Sequence, residues 1–265
     1  MPQYGVRNLN AIVINYLTCF ILGSTILGEI PVKAEMLNAS WFPYAIFLSL
    51  IFIIFFNVNA YTIQKVGMII TSVFQKLSLI APFILGLILF NEEGSLAKYV
   101  AIVLTVIAIV LINLPNKQKL GLEDAKKYWY WPLLVLFGSG LIECTLFYAQ
   151  ETGKVNDAGI DFVTTLFFGA GCWGLVFILL SKKWFFSLRD IIAGILIGIP
   201  NFFTIYLLIR GLELGWDGSV LFPVNNVGVI FFTAIIGILI FKERLSGLNY
   251  LGLVLALVSV ALISI

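Results

Sequence analysis

Two ionisable side chains stand where such groups are expensive. Lys76 lies near the middle of the apolar run 68–90, and Glu143 lies inside the run 129–149. A charge at that depth in a hydrocarbon layer costs about 3 kcal/mol or more, so it is usually paired or functional. An ammonium brings three N–H donors and suits an anionic or acceptor group on a ligand. A carboxyl can take up and release a proton. The chain has no His, the side chain that most often does this near neutral pH, so Glu143 is the candidate proton-coupling group. The plain alternatives are a lysine that snorkels to an interface and a protonated glutamic acid that only joins helices.

Amides and one phenol form the remaining polar set. Asn57 and Tyr61 close the run 41–61, and Gln75 precedes Lys76. Asn201 follows Pro200, and Asn226 follows Pro223. Together with Lys76 they are the candidate substrate-binding residues. Buried amides either select a ligand or tie helices together, and helix joining is the simpler reading for each alone. Pro82, Pro200 and Pro223 are expected to kink their helices and free carbonyls. The cluster Tyr128-Trp129-Tyr130-Trp131, with Trp41 and Trp184, reads as an interfacial aromatic belt. Trp173 lies too deep for that belt and is expected to pack.

Elements that could hold these groups follow from hydropathy. Nine apolar spans are expected at 9–28, 41–61, 68–90, 96–113, 129–149, 158–180, 191–211, 218–240 and 248–265, enough for about 20 residues of helix across a bilayer in most of them. Hydrophobic residues make up 61% of the chain and charged residues 11%, a balance foreign to water-soluble domains. Backbone in lipid must satisfy its own hydrogen bonds, as a helix bundle or a closed barrel. The runs 99–114 and 248–265 do not alternate in polarity as barrel strands do, so the expected class is an all-α integral membrane protein. Metal, cofactor and nucleic-acid motifs are all missing from the sequence, and no pair of buried acids or nucleophile with a base speaks for an enzyme. Cys19, Cys144 and Cys172 fall in apolar runs and read as small apolar residues. The start, Met1-Pro2-Gln3-Tyr4, lacks the pattern of a removable signal peptide.

Orientation follows from the basic residues. Taking the N-terminus with every second loop gives 11 Lys and Arg on one side and four on the other, with Lys76 inside a span. That bias places the N-terminus and the 114–128 loop in the cytoplasm and the C-terminus outside the cell membrane. Lys76 then falls on the cytoplasmic half of its helix and Glu143 on the outer half of its own. The vertical gap is about 10 Å at helical rise. A direct ion pair is therefore disfavoured, and a bridge by water or substrate is expected.

The sequence also matches itself at an offset of 151 residues. Phe90-Asn91-Glu92-Glu93-Gly94-Ser95 falls on Phe241-Lys242-Glu243-Arg244-Leu245-Ser246. Gly67 falls on Gly218, Gln75 on Asn226 and Gly86 on Gly237. Ala101 and Thr105 fall on Gly252 and Ala256, a small-residue spacing that lets helices approach closely. This shift displaces the chain by five spans, an odd number, so the copies face opposite ways across the membrane. Such inverted repeats are common in secondary transporters. The expected division is 1–113 as a first repeat of four helices, 114–128 as a cytoplasmic loop and 129–265 as a second repeat of five. Gln75 and Asn226 would be symmetry mates facing a central void.

With these motifs the chain resembles the EamA-like branch of the drug/metabolite transporter superfamily. The resemblance rests on Asn10-Ala11-Ile12-Val13-Ile14-Asn15-Tyr16 and on Gln75-Lys76-Leu77-Ser78-Leu79-Ile80-Ala81-Pro82 followed by Phe90-Asn91-Glu92. Gly138-Ser139-Gly140 before Glu143, and Phe241-Lys242-Glu243-Arg244, extend it. It implies two inverted five-helix repeats around a cavity that carries metabolites or drug-like compounds. This chain departs from it by lacking the first of ten helices. The expected function is a secondary transporter of a small molecule, in contact with the lipid bilayer and without a cofactor. A homodimer is compatible with this reading. The alternative is a membrane channel or a structural membrane subunit without transport activity.

Overall fold

A computed structural model describes residues 6–30, 33–113, 128–155, 159–181, 185–239 and 246–263. Among the described residues the protein is all-helical. The helices are α1 (Asn8–Leu27), α2 (Phe42–Val66), α3 (Met68–Leu77), α4 (Ile80–Leu89) and α5 (Leu96–Ile112), then α6 (Tyr130–Glu151), α7 (Gly159–Leu180), α8 (Leu188–Glu213), α9 (Gly218–Leu239) and α10 (Gly247–Ile263). Among the described residues six stretches are long and apolar enough to cross a membrane, α3 and α4 counting as one from Ile70 to Leu89. Three shorter apolar helices lie at Leu96–Ile112, Gly218–Phe232 and Gly247–Leu262. The loop 114–128 up to Lys127, the Phe241 to Leu245 signature and Trp184 lie outside the described residues.

The chain divides into two compact units. Met1–Ala60 and Thr145–Gly215 form one, and Tyr61–Cys144 and Trp216–Ile265 form the other. Each unit draws helices from both halves of the sequence, and the division falls within α2 and α6.

In the first unit α1 packs against α7 and α8. Gly194 and Gly198 lie one helical turn apart on α8 and bring its backbone against α1. A methyl group at Gly194 would come within 2.7 Å of the Ala11 carbonyl oxygen, and one at Gly198 within 2.8 Å of that of Asn15. This is the small-xxx-small device, on a helix pair outside the residues matched at the 151-residue offset. An aromatic core fills the unit. Tyr16 stacks on Phe167 at 6.0 Å and donates its hydroxyl to the Phe52 carbonyl at 3.0 Å. Trp41, assigned to the belt, is instead buried edge-on against Phe162. Trp173, expected to pack, is 37% exposed, as an apolar side chain can be where lipid is the solvent.

The second unit holds α3, α4, α5, α9 and α10. The small residues matched by the repeat lie where α5 and α10 pack together: Ala101, Thr105 and Ala256 are buried. A methyl group at Gly252 would come within 2.8 Å of the Ile112 amide nitrogen. Asn249 on α10 donates to the carbonyls of Leu111 and Ile112 at 2.9 Å each, satisfying acceptors that a helix end leaves open.

Candidate functional site

The break between α3 and α4 has a local cause. Proline at position 82 has no N–H to give to the Ser78 carbonyl, and its ring crowds that oxygen. The chain tightens instead: Leu79 N–H bonds the Lys76 carbonyl at 3.4 Å and Ala81 N–H bonds the Ser78 carbonyl at 2.9 Å, both three residues back as in a 3₁₀ turn. Pro200 and Pro223, by contrast, lie inside continuous helices. The break ends α3 at Lys76 and Leu77 and puts Ser78 at the corner.

Helix α6 meets this corner through Gly140. A methyl group there would stand 3.3 Å from the Ala81 Cβ and 3.8 Å from the Ser78 Cβ. Glu143, one turn further along α6, reaches the same corner. Helix α9 is fixed at its start by Glu92, whose two carboxylate oxygens accept from the Gly218 and Ser219 amides at 2.8 and 3.0 Å. A carboxylate suits the positive end of a helix. Lys98 pairs with Asp217 at 2.8 Å beside it. These anchors set the register of Asn226, two turns into α9.

The site is a chain of four side chains from three helical segments and the corner. Lys76 Nζ donates to Asn226 Oδ1 at 3.0 Å. Asn226 Nδ2 donates to Glu143 Oε1 at 3.2 Å and to the Phe222 carbonyl at 3.1 Å. Ser78 Oγ lies 2.9 Å from Glu143 Oε2 and 2.6 Å from the Gln75 carbonyl oxygen. Ser78 and Asn226 are each 2% exposed. Among the described residues no ion pair joins Lys76 to Glu143 directly. The two charge-bearing groups are bridged, and the bridge is a protein amide rather than the water or substrate expected from the sequence. Asn226 is the one hydrogen-bond partner found for the Lys76 ammonium among the described residues, which leaves it donors to spend.

The other candidates stand elsewhere. Gln75 is partly buried at the end of α3, its carbonyl against Ser78. Tyr61 is exposed and lies 4.4 Å from the Trp131 ring, with the Lys65 ammonium 5.5 Å from its own ring centre. It thus keeps company with the aromatic residues read as a belt. Asn57 turns its amide to the Ile53 carbonyl of its own helix at 2.7 Å. Asn201 belongs to the first unit and donates to Asn15 Oδ1 at 3.2 Å and to Cys19 Sγ at 3.8 Å, the helix-joining role.

Sequence reasoning missed three polar groups. Ser78 enters the sequence reading only within the Gln75 to Pro82 segment, with no role of its own. The role of Glu92 depends on a partner 126 residues away and has no local signal. Asp190 is fully buried and accepts from the Arg7 amide at 2.8 Å, the Arg7 guanidinium at 3.1 Å and the Ser187 amide at 2.9 Å. Its signal was legible, since Ser187 and Asp190 form a capping box at the start of α8.

No protein-family sequence model matches the chain. An uncharacterized protein of Haemophilus influenzae is 30% identical to it over 208 residues, covering 76% of this chain and 68% of the relative. A crystal structure of a protein aligns with 97% of this chain and 87% of its own length at a TM-score of 0.78. At 12% identity that likeness is one of fold.

Proposed function

We propose that this chain, which belongs to the same family as the uncharacterized Haemophilus influenzae protein, is a secondary transporter that moves a small metabolite or drug-like compound across the cytoplasmic membrane by alternating access. The observation that carries the reading is the Lys76–Asn226–Glu143–Ser78 chain. Polar groups of opposite type, placed deep in apolar helices and bonded to one another, mark substrate or ion pathways. Lys76 is the substrate-facing donor and Glu143 the proton-coupling group. The architecture we infer is the nine-helix, inverted-repeat form of the drug/metabolite transporter superfamily. Helix ends support the repeat. Helices α5 and α10 begin and end 151 residues apart, and α1 and α7 begin 151 residues apart, the offset of the sequence self-match.

The test is counter-flow in proteoliposomes, with a compound first selected by thermal-shift screening of the purified protein against metabolite classes. A carrier gives saturable uptake that is stimulated by the same compound preloaded inside. Uptake that rises linearly with concentration and ignores preloading identifies a channel and ends this reading.

Orientation gives a second check. In intact cells a cysteine introduced in the 114–128 loop is expected to resist a membrane-impermeant thiol reagent, while one introduced beside Lys154 reacts. The reverse pattern overturns the assignment of sides.

A further inference from the structure

Hydrogens can be counted in the Ser78 corner, and the count comes out one too high for an ionised Glu143. Start from Asn226. Its Oδ1 faces the Lys76 ammonium, which can only donate, and its Nδ2 faces the Phe222 carbonyl, which can only accept. These two partners fix which end of the amide is which. The second Nδ2 hydrogen therefore points to Glu143 Oε1 at 3.2 Å, and Oε1 is an acceptor.

Next consider Ser78. Its Oγ lies 2.6 Å from the Gln75 carbonyl oxygen and 2.9 Å from Glu143 Oε2. A hydroxyl has one hydrogen to donate. With Glu143 ionised, both neighbours are pure acceptors, and one of the two short oxygen–oxygen contacts would be two lone pairs face to face. Both contacts are hydrogen bonds only if a second hydrogen is present, and of the three groups only the carboxyl can carry it. Among the described residues the titratable side chains that act on Glu143 are Lys76 on α3 and Cys144 beside it on α6. The Lys76 ammonium bonds Asn226 and, forming no direct ion pair with Glu143 among the described residues, acts on it only through its charge.

We propose that Ser78 is a positioning residue that reads the protonation of Glu143 and passes it to the break between α3 and α4. In the state seen here Glu143 carries its proton on Oε2 and donates it to Ser78 Oγ, and Ser78 donates to the Gln75 carbonyl. The direction of donation runs without conflict from Lys76 through Asn226 to Glu143 Oε1, and from Glu143 Oε2 through Ser78 to Gln75. When the proton leaves Oε2, the carboxylate becomes the strongest acceptor within reach of the Ser78 hydroxyl. The hydroxyl turns to it and withdraws from Gln75. That carbonyl belongs to the last turn of α3, next to a corner where proline at position 82 leaves the Ser78 carbonyl to the tighter Ala81 bond. Proton release therefore loosens the corner, and proton uptake tightens it.

This inference deepens the transport reading and takes its purpose from it, but its test does not depend on transport. Infrared difference spectra of the purified protein in lipid, recorded across a pH titration, report protonated carboxyls through their C=O stretch, apart from the carboxylate bands. We expect one such band that disappears in Glu143→Gln. It moves to higher frequency in Ser78→Ala, where the acid loses the acceptor for its proton. In Ser78→Thr, which keeps the hydroxyl, the band returns to its native position. A wild-type protein without a Glu143 band at any pH, or a band that ignores Ser78→Ala, overturns the proposal. Because Ser78→Thr preserves the hydroxyl, it also answers for any folding defect of the alanine variant. Counter-flow that fails while the band behaves as described removes the transporter reading and leaves the Ser78 relay standing.

Discussion

Glu143→Gln is expected to abolish accumulation of substrate driven by a proton gradient, to the level of empty liposomes, while exchange of labelled for unlabelled substrate at equilibrium persists. Glutamine is nearly the same shape as the protonated acid. Its carbonyl oxygen can accept from Asn226 Nδ2, where Glu143 Oε1 does so at 3.2 Å. Its amide can donate to Ser78 Oγ, where Oε2 stands at 2.9 Å. The variant therefore keeps the polar chain complete and the helices joined, and its thermal midpoint should stay near the native one. It loses only the ability to give up the proton. Lys76 and its remaining donors are untouched, so binding and exchange survive. Accumulation by Glu143→Gln that equals the native protein across the pH range would falsify the coupling role and leave Glu143 as a hydrogen-bonding group between α6 and α9.

The spans were legible because a bilayer asks for long apolar runs and little else. The runs 68–90, 96–113 and 218–240 correspond to Met68–Leu89 with its break, Leu96–Ile112 and Gly218–Leu239. Lys76 and Glu143 were legible for the same reason, since a charge in an apolar run is conspicuous. Among the described residues the two form no direct ion pair and are joined through Asn226. What joins them was not legible. Asn226 is one of several amides near prolines, and no local rule says which of them faces α3 and α6. That depends on the rotation of α9, which Glu92 and Asp217 anchor at its start through partners far away in sequence. Ser78 was hidden differently. Its importance comes from the missing N–H of Pro82 and from Gly140 letting α6 approach, and neither is visible until both helices are placed. The Gly194 and Gly198 spacing and the Ser187 to Asp190 box are written in the local sequence, but they report helix packing and capping rather than a site.

Asn226→Leu is expected to be the most damaging single substitution in the site, and a triple variant separates what the amide does for folding from what it does for transport. Leucine removes the acceptor that Lys76 Nζ uses at 3.0 Å and the donor that Glu143 Oε1 uses at 3.2 Å. Two part-buried polar groups then each lose a partner, at about 1–3 kcal/mol each and more where a group is charged. The loss should be on the order of 2–5 kcal/mol, seen as a large fall in the thermal midpoint and a loss of counter-flow. Replacing all three members by apolar side chains of similar size, Lys76→Met with Asn226→Leu and Glu143→Met, removes the orphaned groups together with their partners. Such replacements are often neutral or stabilising. Ser78 is not stranded by them, because the Gln75 carbonyl still accepts its hydroxyl. The triple variant should therefore regain most of the native midpoint while transporting nothing. A triple variant as unstable as Asn226→Leu alone would mean that the polar chain holds the helices together and is kept for that. Recovered stability with absent transport is what a network retained for function, at a cost to the fold, must give.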